Sequence, residues 1–311
     1  MVDTHEHLHQ YGRMAISRLY NAPAEKIVSY DIAEMNLISA CGLPGTEDLC
    51  MAKALQTLDE WAAHIRKQTA RNLPHYHANR AQFKSRARFN MGTLIQTLRR
   101  DFGIHYNPDR IATPDNFDDP ADSFIHGLVG PRRSGTCASI PVLLTAIGRR
   151  LGYPLKLVLA PRHCFCRWET PEERFNFDYH EQGFNSSPDE YYHEHPMKWS
   201  PALHDRERIR PTFLISLTPQ QELAHFAFTR ASQLDVAGRR KESLESLRVA
   251  YTFWPTPGHG YWMTHMLTKV MYPDRDWPRN PCEETAGKTA FDRLRREKGA
   301  VMVDNKWMIA V

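Results

Sequence analysis

Apolar residues recur at helical spacing in the first third of the chain. In the clearest run, within residues 46–73, an apolar side chain returns every three or four positions. The members of this run are Leu49, Ala52, Leu55, Leu58, Ala62 and Ile65. Thr46 precedes the run as a candidate N-cap, and a second run of the same period lies within residues 78–101. The pattern predicts two amphipathic helices, each with one face against a protein core.

Residues 136–152 are the most apolar part of the chain, and their apolar side chains fall on both faces of a helix. Such a pattern indicates a helix that is buried on all sides, with Gly152 marking its end. Three short strand-like runs follow, at 155–160, 163–168 and 174–178, with brief polar connections. A buried helix followed by a small antiparallel sheet is typical of the α+β class, which we predict here.

Polar and proline-containing segments divide the chain into three parts. We expect residues 1–29 to form a polar N-terminal segment, 30–205 a core, and 206–311 a helical C-terminal region. Within the last part, residues 218–254 predict two helices joined at Ala237-Gly238. One helical hairpin cannot bury its own apolar face, so we expect it to pack on the core.

Composition excludes several classes of protein. With 41% hydrophobic and 24% charged residues, the chain is neither disordered nor fibrous. The net charge of +4 is dispersed, so we expect no nucleic-acid partner. The chain starts without the basic and then apolar pattern of a signal peptide, and no apolar run is long enough to cross a membrane. We therefore expect no membrane partner. Six cysteines are too few for a disulfide scaffold, so we expect a reduced, cytoplasmic protein.

The candidate chemistry centres on the segment SGTCASIP at residues 134–141. Inside a helix, the ring of Pro141 would clash with the carbonyl group of Cys137, so Cys137 is predicted at the amino end of the helix. The helix dipole and unbonded amides there favour a thiolate and can bind a developing oxyanion. His163 opens the second strand and Asp178 ends the third, which predicts that they are cross-strand neighbours. A thiol, an imidazole and a carboxylate form the arrangement of cysteine nucleophilic catalysis.

The run from Gly135 to Asp178 resembles the core of the transglutaminase-like superfamily. The matching positions around the nucleophile are Gly135, Cys137, Ala146, Arg150, Leu151 and Gly152. The resemblance extends to a SirB1-like branch, in which a tetratricopeptide-like region follows the core. It implies a papain-like fold with Cys137 as nucleophile, His163 as base and Asp178 as the residue that orients the base. The superfamily includes cross-linking enzymes, peptidases, amidases and inactive binding proteins, so the resemblance does not select the reaction.

Other polar residues are candidate supports of this site. The resemblance implies a polar residue upstream of the nucleophile that helps to hold the oxyanion, for which His126 is a candidate, although a surface histidine is the simpler interpretation. Thr136 and Asn176 are candidate supports beside the thiol and the carboxylate. Cys164 and Cys166 form a CxC pattern, but a zinc site would need two more ligands, and buried thiols are the favoured interpretation. We expect no metal and no cofactor.

Two hypotheses about function stay open. The first is an enzyme that cleaves amide bonds of a protein or peptide through a Cys-His-Asp triad and a thioester. Water or an amine would resolve the thioester, and hydrolysis is favoured because water is always available. The second is a catalytically inactive, protein-binding module, in which the C-terminal helices and a long loop at 103–122 contact a protein partner. The sequence does not specify the substrate or the oligomeric state.

Overall fold

The computed structural model describes residues 4–111, 119–180, 183–272, 301–303 and 306–308. Its helices are α1 (Thr4–Tyr20), α2 (Ala24–Ile27), α3 (Ile32–Ala40), α4 (Met51–Arg71), α5 (Leu73–Ala78), α6 (Arg80–Phe83), α7 (Arg86–Phe102), α8 (Pro120–Ser123), α9 (His126–Val129), α10 (Ile140–Arg150), α11 (Pro201–Ile209), α12 (Pro219–Val236), α13 (Arg240–Phe253) and α14 (Pro257–Met271). Its strands are β1 (His105–Tyr106), β2 (Ser134–Gly135), β3 (Leu155–Ala160), β4 (His163–Glu169), β5 (Arg174–His180), β6 (Gly183–Asn185), β7 (Val301–Val303) and β8 (Lys306–Met308). Two short 3₁₀ turns lie at Pro108–Arg110 and Asp189–His193.

Helix α10 runs through the centre of the core. Every residue from Ile140 to Gly148 is buried, as the apolar pattern predicted. The helix packs on α3 and α4 on one side and on strands β3 and β4 on the other. Strands β3 to β6 form one antiparallel sheet in chain order. The α+β class predicted from the sequence is therefore confirmed.

The start of α10 differs in detail from the prediction. The helix begins at Ile140 with Ser139 as N-cap, so Cys137 lies in the turn just before the helix. The amide of Ile140 already donates to the carbonyl oxygen of Thr136 at 2.9 Å, which continues the helical hydrogen-bond pattern back into that turn. Pro141 lies in the first helical turn, where its missing N–H is tolerated. The thiol thus stands at the amino end of a buried helix.

The two amphipathic helices in the first third are present, with shifted starts. The first is α4, and its N-cap is Cys50 rather than Thr46. The hydroxyl of Thr46 instead donates to the carbonyl oxygen of Leu43 in the preceding turn. The second is α7, which starts after Ser85, whose hydroxyl accepts from the amide of Arg88 at 3.1 Å.

The N-terminal segment at 1–29, which the sequence indicated only as polar, contains two helices. Helices α1 and α2 occupy this segment, and Leu19 and Ile27 are fully buried in the main core. Ala15, Ile16 and Tyr20 of α1 also pack against this core.

Helices α12 and α13 occupy the segment predicted to hold two helices. Gly238 forms the bend between them at a φ of 74°, a left-handed conformation that glycine adopts without a steric cost. Helix α12 packs on α3, and Leu223 and Phe226 belong to the main core. Buried Glu222 accepts two hydrogen bonds from Arg149 of α10, at 3.0 and 2.5 Å. Helix α12, the first helix of the hairpin, therefore packs on the core.

Candidate active site

A short pair of parallel strands holds the turn that carries Cys137. Strand β1 pairs with β2 so that Tyr106 lies opposite Gly135. A Cβ atom on Gly135 would collide with the side chains of Ser139 and Leu128, so only glycine allows this close approach. The amide of Thr136 donates to the hydroxyl of Ser139 at 3.1 Å, which fixes the turn on the helix start.

The sheet brings His163 and Asp178 together. In the β4–β5 pair, Cys166 lies opposite Phe177, so the register places His163 diagonally across from Asp178. The Nε2 atom of His163 donates to Oδ1 of Asp178 at 3.0 Å, and the two side chains are 22% and 18% exposed. The predicted proximity is present, although the residues are diagonal rather than directly opposite.

His163 also contacts the thiol of Cys137. Burial alone would lower the pKa of His163, but hydrogen bonds and charge from Asp178 and Cys137 outweigh it and raise that pKa to about 10. Because Nε2 faces Asp178, the Nδ1 atom is the one left for the sulfur. At neutral pH the imidazole of His163 is therefore protonated.

Tyr192 is a third side chain in contact with the His163–Asp178 pair, and sequence reasoning did not predict its role. Its hydroxyl donates to the second carboxylate oxygen of Asp178 at 2.5 Å. Its buried ring stacks on Phe165 with centroids 4.0 Å apart, and it lies 6.0 Å from the ring of His163. Burial, and then the charge of Asp178, raise the pKa of Tyr192, so its hydroxyl stays a donor. Both oxygens of Asp178 are thus held in place.

Tyr106 is a second residue that sequence reasoning missed. Burial first, and then the neighbouring Cys137, raise the pKa of Tyr106 well above its usual value. The phenol therefore keeps its proton while it contacts the amide and the thiol of Cys137. Tyr106 lies in the 103–122 segment, which the sequence indicated only as a loop. Residues 112–118 of that segment lie outside the described part.

The predicted supporting residues are only partly at this site. Thr136 lies beside Cys137, but its hydroxyl donates to the carbonyl oxygen of Asp122 at 2.9 Å, which leaves no proton for a substrate oxygen. Asn176 is buried and bonds to Arg167 and Asp189, away from the thiol. His126 lies on α9 with both ring nitrogens buried and no partner among the described residues. It lines neither of the cavities that Cys137 reaches, so its role with an oxyanion stays a prediction.

Cys164 and Cys166 point from the sheet towards α10. Both are buried, and burial raises the pKa of each thiol. The Sγ atom of Cys166 donates to the carbonyl oxygen of Pro141 at 3.2 Å, which ties β4 to the helix start. Within the described ranges, no group of three or more His, Cys, Asp or Glu side chains is placed to hold a metal ion.

Cys137 and His163 lie between two cavities of about 370 Å³ each. The first, which we call the tyrosine cavity, is lined by Tyr106, Tyr192 and Asp178 from the core. The second, which we call the inter-domain cavity after the division predicted from the sequence, lies between the core and helices α12 and α14. The thiol and the imidazole can therefore be approached from two sides.

Comparison with known proteins identifies the family. Residues 52–224 match the family model described as the transglutaminase-like superfamily. Because the match covers more than half of the 311 residues, the chain belongs to the transglutaminase-like superfamily. No curated protein and no solved structure matches the chain. None of the helices in the described part combines the length and the apolar character that a membrane crossing requires.

Proposed function

We propose that the protein is a cysteine-dependent acyl-transfer enzyme that acts on amide bonds of peptides or proteins. The observation that carries the proposal is the position of His163, whose imidazole is bonded to Asp178 and contacts the thiol of Cys137. Membership of a superfamily that includes cysteine acyltransferases and peptidases supports the same chemistry. In this proposal Cys137 is the nucleophile, His163 the acid and base, and Asp178 the residue that orients the imidazole.

The first half of the reaction forms a thioester. The thiolate of Cys137 attacks the amide carbonyl carbon, and the carbonyl π electrons move to oxygen. In this proposal the hydroxyl of Tyr106, which keeps its proton beside Cys137, is the donor that stabilises that oxyanion. The C–N bond then breaks, the leaving nitrogen takes a proton from the imidazolium of His163, and the acyl group stays on sulfur.

The second half releases the acyl group. Water attacks the thioester carbon while neutral His163 takes its proton, and the C–S bond breaks to give a carboxylic acid and the original thiolate–imidazolium pair. A primary amine in place of water would give a new amide, which is the transglutaminase outcome. Access from two cavities leaves room for either acceptor, and we propose hydrolysis because water needs no binding site.

The test compares two thiols of one chain. Cys50 is exposed and distant in sequence, so its reaction with iodoacetamide serves as an internal control for Cys137. We expect Cys137 to be alkylated faster than Cys50, and the His163→Ala variant to slow Cys137 alone, by about tenfold or more. Mass spectrometry of the labelled peptides measures both rates. If Cys137 reacts no faster than Cys50 and ignores the loss of His163, the chain is better described as the inactive, protein-binding alternative.

We also propose that residues 30–205 form the catalytic core, with 1–29 as an N-terminal segment and 206–311 as a tetratricopeptide-like region of the SirB1-like kind. The α12–α13 hairpin with its bend at Gly238 supports this division. In this view the C-terminal helices offer a surface for a protein partner, and the free thiols suit a cytoplasmic location. Limited proteolysis tests the boundary, because cleavage near 205 should release a folded core. If the residues before and after 205 are instead degraded at the same rate, with no folded core released, the proposed boundary is contradicted.

A further inference from the structure

The inter-domain cavity holds the reacting pair together with a set of aromatic rings. Cys137 and His163 line it from the core, and Ala160 of β3, which also lines it, lies opposite His163 in the strand register. The rings come from the C-terminal part, and we call them the aromatic wall: His225 and Phe228 of α12, Trp254, and His259 and Trp262 of α14. All five follow Ala224, where the family match ends, so the wall is a feature of the present chain.

Four rings of the aromatic wall contact one another in a series. The ring of Trp254 meets that of His259 edge-on with centroids 5.7 Å apart, and His259 lies 5.3 Å from Phe228. Phe228 in turn meets Trp262 at 6.4 Å, again edge to face. Phe228 and Trp262 are only half-buried, which leaves ring surface in the cavity for a ligand. Because aromatic rings favour edge-to-face and offset contacts, this series can accept one further ring from a ligand.

The histidines of the aromatic wall carry no charge at neutral pH. Burial, and then the nearby His259, lower the pKa of His225 to about 4. Burial also lowers the pKa of His259, although the hydrogen bond from its Nδ1 atom to the carbonyl oxygen of Trp254, at 2.7 Å, opposes this. Both imidazoles are therefore neutral, so the wall offers no ionic partner to a charged ligand.

The arginines that line this cavity are already engaged inside the protein. Arg110 donates to the carboxylate of Asp122 at 2.6 Å, and Arg206 donates to Glu207 at 3.1 Å. Arg162 also has an interaction within the protein. A charged ligand group would therefore lose its water against neutral rings and arginines that are already engaged, a cost in free energy that an uncharged group does not incur. The cavity thus favours an uncharged occupant.

We propose that the inter-domain cavity is the specificity site of the enzyme and selects an uncharged aromatic side chain next to the amide that reacts. This inference rests on the acyl-transfer function proposed above. The occupant is a side chain of the substrate itself, because one cavity holds both the reacting pair and the aromatic wall. A peptide whose amide reaches Cys137 places a neighbouring ring against Phe228 and Trp262. The substrate class is thus a peptide or protein with a phenylalanine-like residue beside the reacting amide.

The test uses alkylation of the full-length protein by iodoacetamides that carry different groups on the amide nitrogen. N-benzyliodoacetamide adds an aromatic ring, N-(cyclohexylmethyl)iodoacetamide a saturated ring of the same size, and N-(4-carboxybenzyl)iodoacetamide an aromatic ring with a negative charge. For each reagent, the rate at Cys137 is divided by the rate at exposed Cys50, which removes differences in intrinsic reactivity. Mass spectrometry of the labelled peptides measures both rates.

We expect the benzyl reagent to raise the Cys137-to-Cys50 ratio about tenfold over plain iodoacetamide, through burial of one ring. The ratio for the cyclohexylmethyl reagent should be about threefold below that for the benzyl reagent, because a saturated ring lacks the aromatic face. The carboxybenzyl reagent should lose the gain, because its charge meets neutral rings and engaged arginines. No gain with the benzyl reagent, or an equal gain with either of the other two, would overturn the inference.

A matched pair of variants locates the contact. Trp262→Leu removes a ring of the aromatic wall, whereas Tyr261→Leu changes the adjacent residue of α14, which is also half-buried but does not line the cavity. We expect the first substitution to reduce the benzyl gain about threefold or more and the second to leave it unchanged. Equal reductions in both variants would overturn the assignment to the wall. Should Trp262→Leu fail to fold, the comparison of reagents on the unchanged protein decides alone.

The two proposals can fail separately. The acyl-transfer function is tested by the rate of Cys137 with plain iodoacetamide, whereas the cavity assignment is tested by the change in that rate when a ring is added. A fast Cys137 without a benzyl gain would remove only the cavity assignment. A Cys137 that reacts no faster than Cys50 with plain iodoacetamide, yet shows the benzyl gain, would remove the acyl-transfer function and leave a cavity that binds aromatic groups.

Discussion

Two polar clusters lie side by side on the same face of strands β4 and β5. The imidazole cluster consists of His163, Asp178 and Tyr192, and the guanidinium cluster of Arg167, Asn176 and Asp189. One short 3₁₀ turn, Asp189–His193, covers both, since it provides Asp189 to one cluster and Tyr192 to the other. Each cluster thus pairs a basic side chain on β4 with an acidic partner and a neutral hydrogen-bonding residue.

The difference lies in what the basic group can do. Arg167 is 1% exposed, lines neither cavity and cannot lose its proton at accessible pH, so it acts as a fixed charge. Burial alone would raise the pKa of Asp189, but hydrogen bonds from Arg174 and Asn176 and the charge of Arg167 lower it. The imidazole of His163, in contrast, can gain and lose a proton, and it lies at the strand end beside Cys137. An acid–base pair on a sheet therefore indicates chemistry only where it meets both a nucleophile and a cavity.

The largest effect is expected from His163→Ala. Loss of the acid and base should lower kcat/KM for amide cleavage by about a thousandfold. At about pH 10, where the proton of His163 no longer contributes to stability, the free energy of unfolding should change by less than about 1.5 kcal/mol, because the side chain is partly exposed. Steady-state kinetics and urea unfolding measure the two quantities. A variant that loses stability rather than activity would show that the imidazole cluster is structural.

Asp189→Asn should have the opposite profile. It leaves the buried guanidinium of Arg167 without its 2.7 Å carboxylate partner. We expect a loss of about 3 kcal/mol in the free energy of unfolding, with kcat reduced only in proportion to the folded fraction. Urea unfolding monitored by tryptophan fluorescence checks the size of the loss. Stability equal to that of the unchanged protein would contradict a supporting role for the guanidinium cluster.

Tyr192→Phe removes one hydroxyl and keeps the ring that stacks on Phe165. The carboxylate of Asp178 loses its 2.5 Å donor and can turn away from the imidazole. We expect kcat to fall about tenfold with little change in KM, because the substrate does not need to touch this residue. Tyr191→Phe is the matched control, since Tyr191 is adjacent in the chain and its side chain is more exposed. An equal fall in both variants would argue against a positioning role for Tyr192.

The most gradual effect concerns the dependence of stability on pH. The pKa of His163 is raised to about 10 in the folded protein, against roughly 6.5 in an unfolded chain, so folding strengthens proton binding. Its contribution to stability is complete below about pH 6.5 and is lost as the pH rises towards 10, at no more than about 1.4 kcal/mol per pH unit. Unfolding measured across this window should show the decline in the unchanged protein and a weaker one in His163→Ala. If the free energy of unfolding falls equally with pH in both proteins, the decline does not come from the proton of His163.

The sequence determined the elements whose causes are local. Continuous apolar character predicted the buried helix α10, three short strand-like runs predicted β3 to β5, and the ring of Pro141 predicted Cys137 at the helix start. The order of Cys137, His163 and Asp178 along these elements then indicated the candidate site. The α12–α13 pair followed from periodicity and one glycine. The division at 205 stays a prediction, because α12 shares the main core with the residues before it.

Only the tertiary structure decided which distant residues meet. Tyr106 and Tyr192 belong to polar segments without a period, and they reach the site because β1 pairs with β2 and a 3₁₀ turn folds over the sheet. The aromatic wall of the inter-domain cavity likewise forms only when α12 and α14 pack against the core. Local sterics and apolar spacing act within a few residues and leave a trace in the sequence. The contacts that Tyr106 and Tyr192 make at the site depend on the path of the whole chain, which no short pattern encodes.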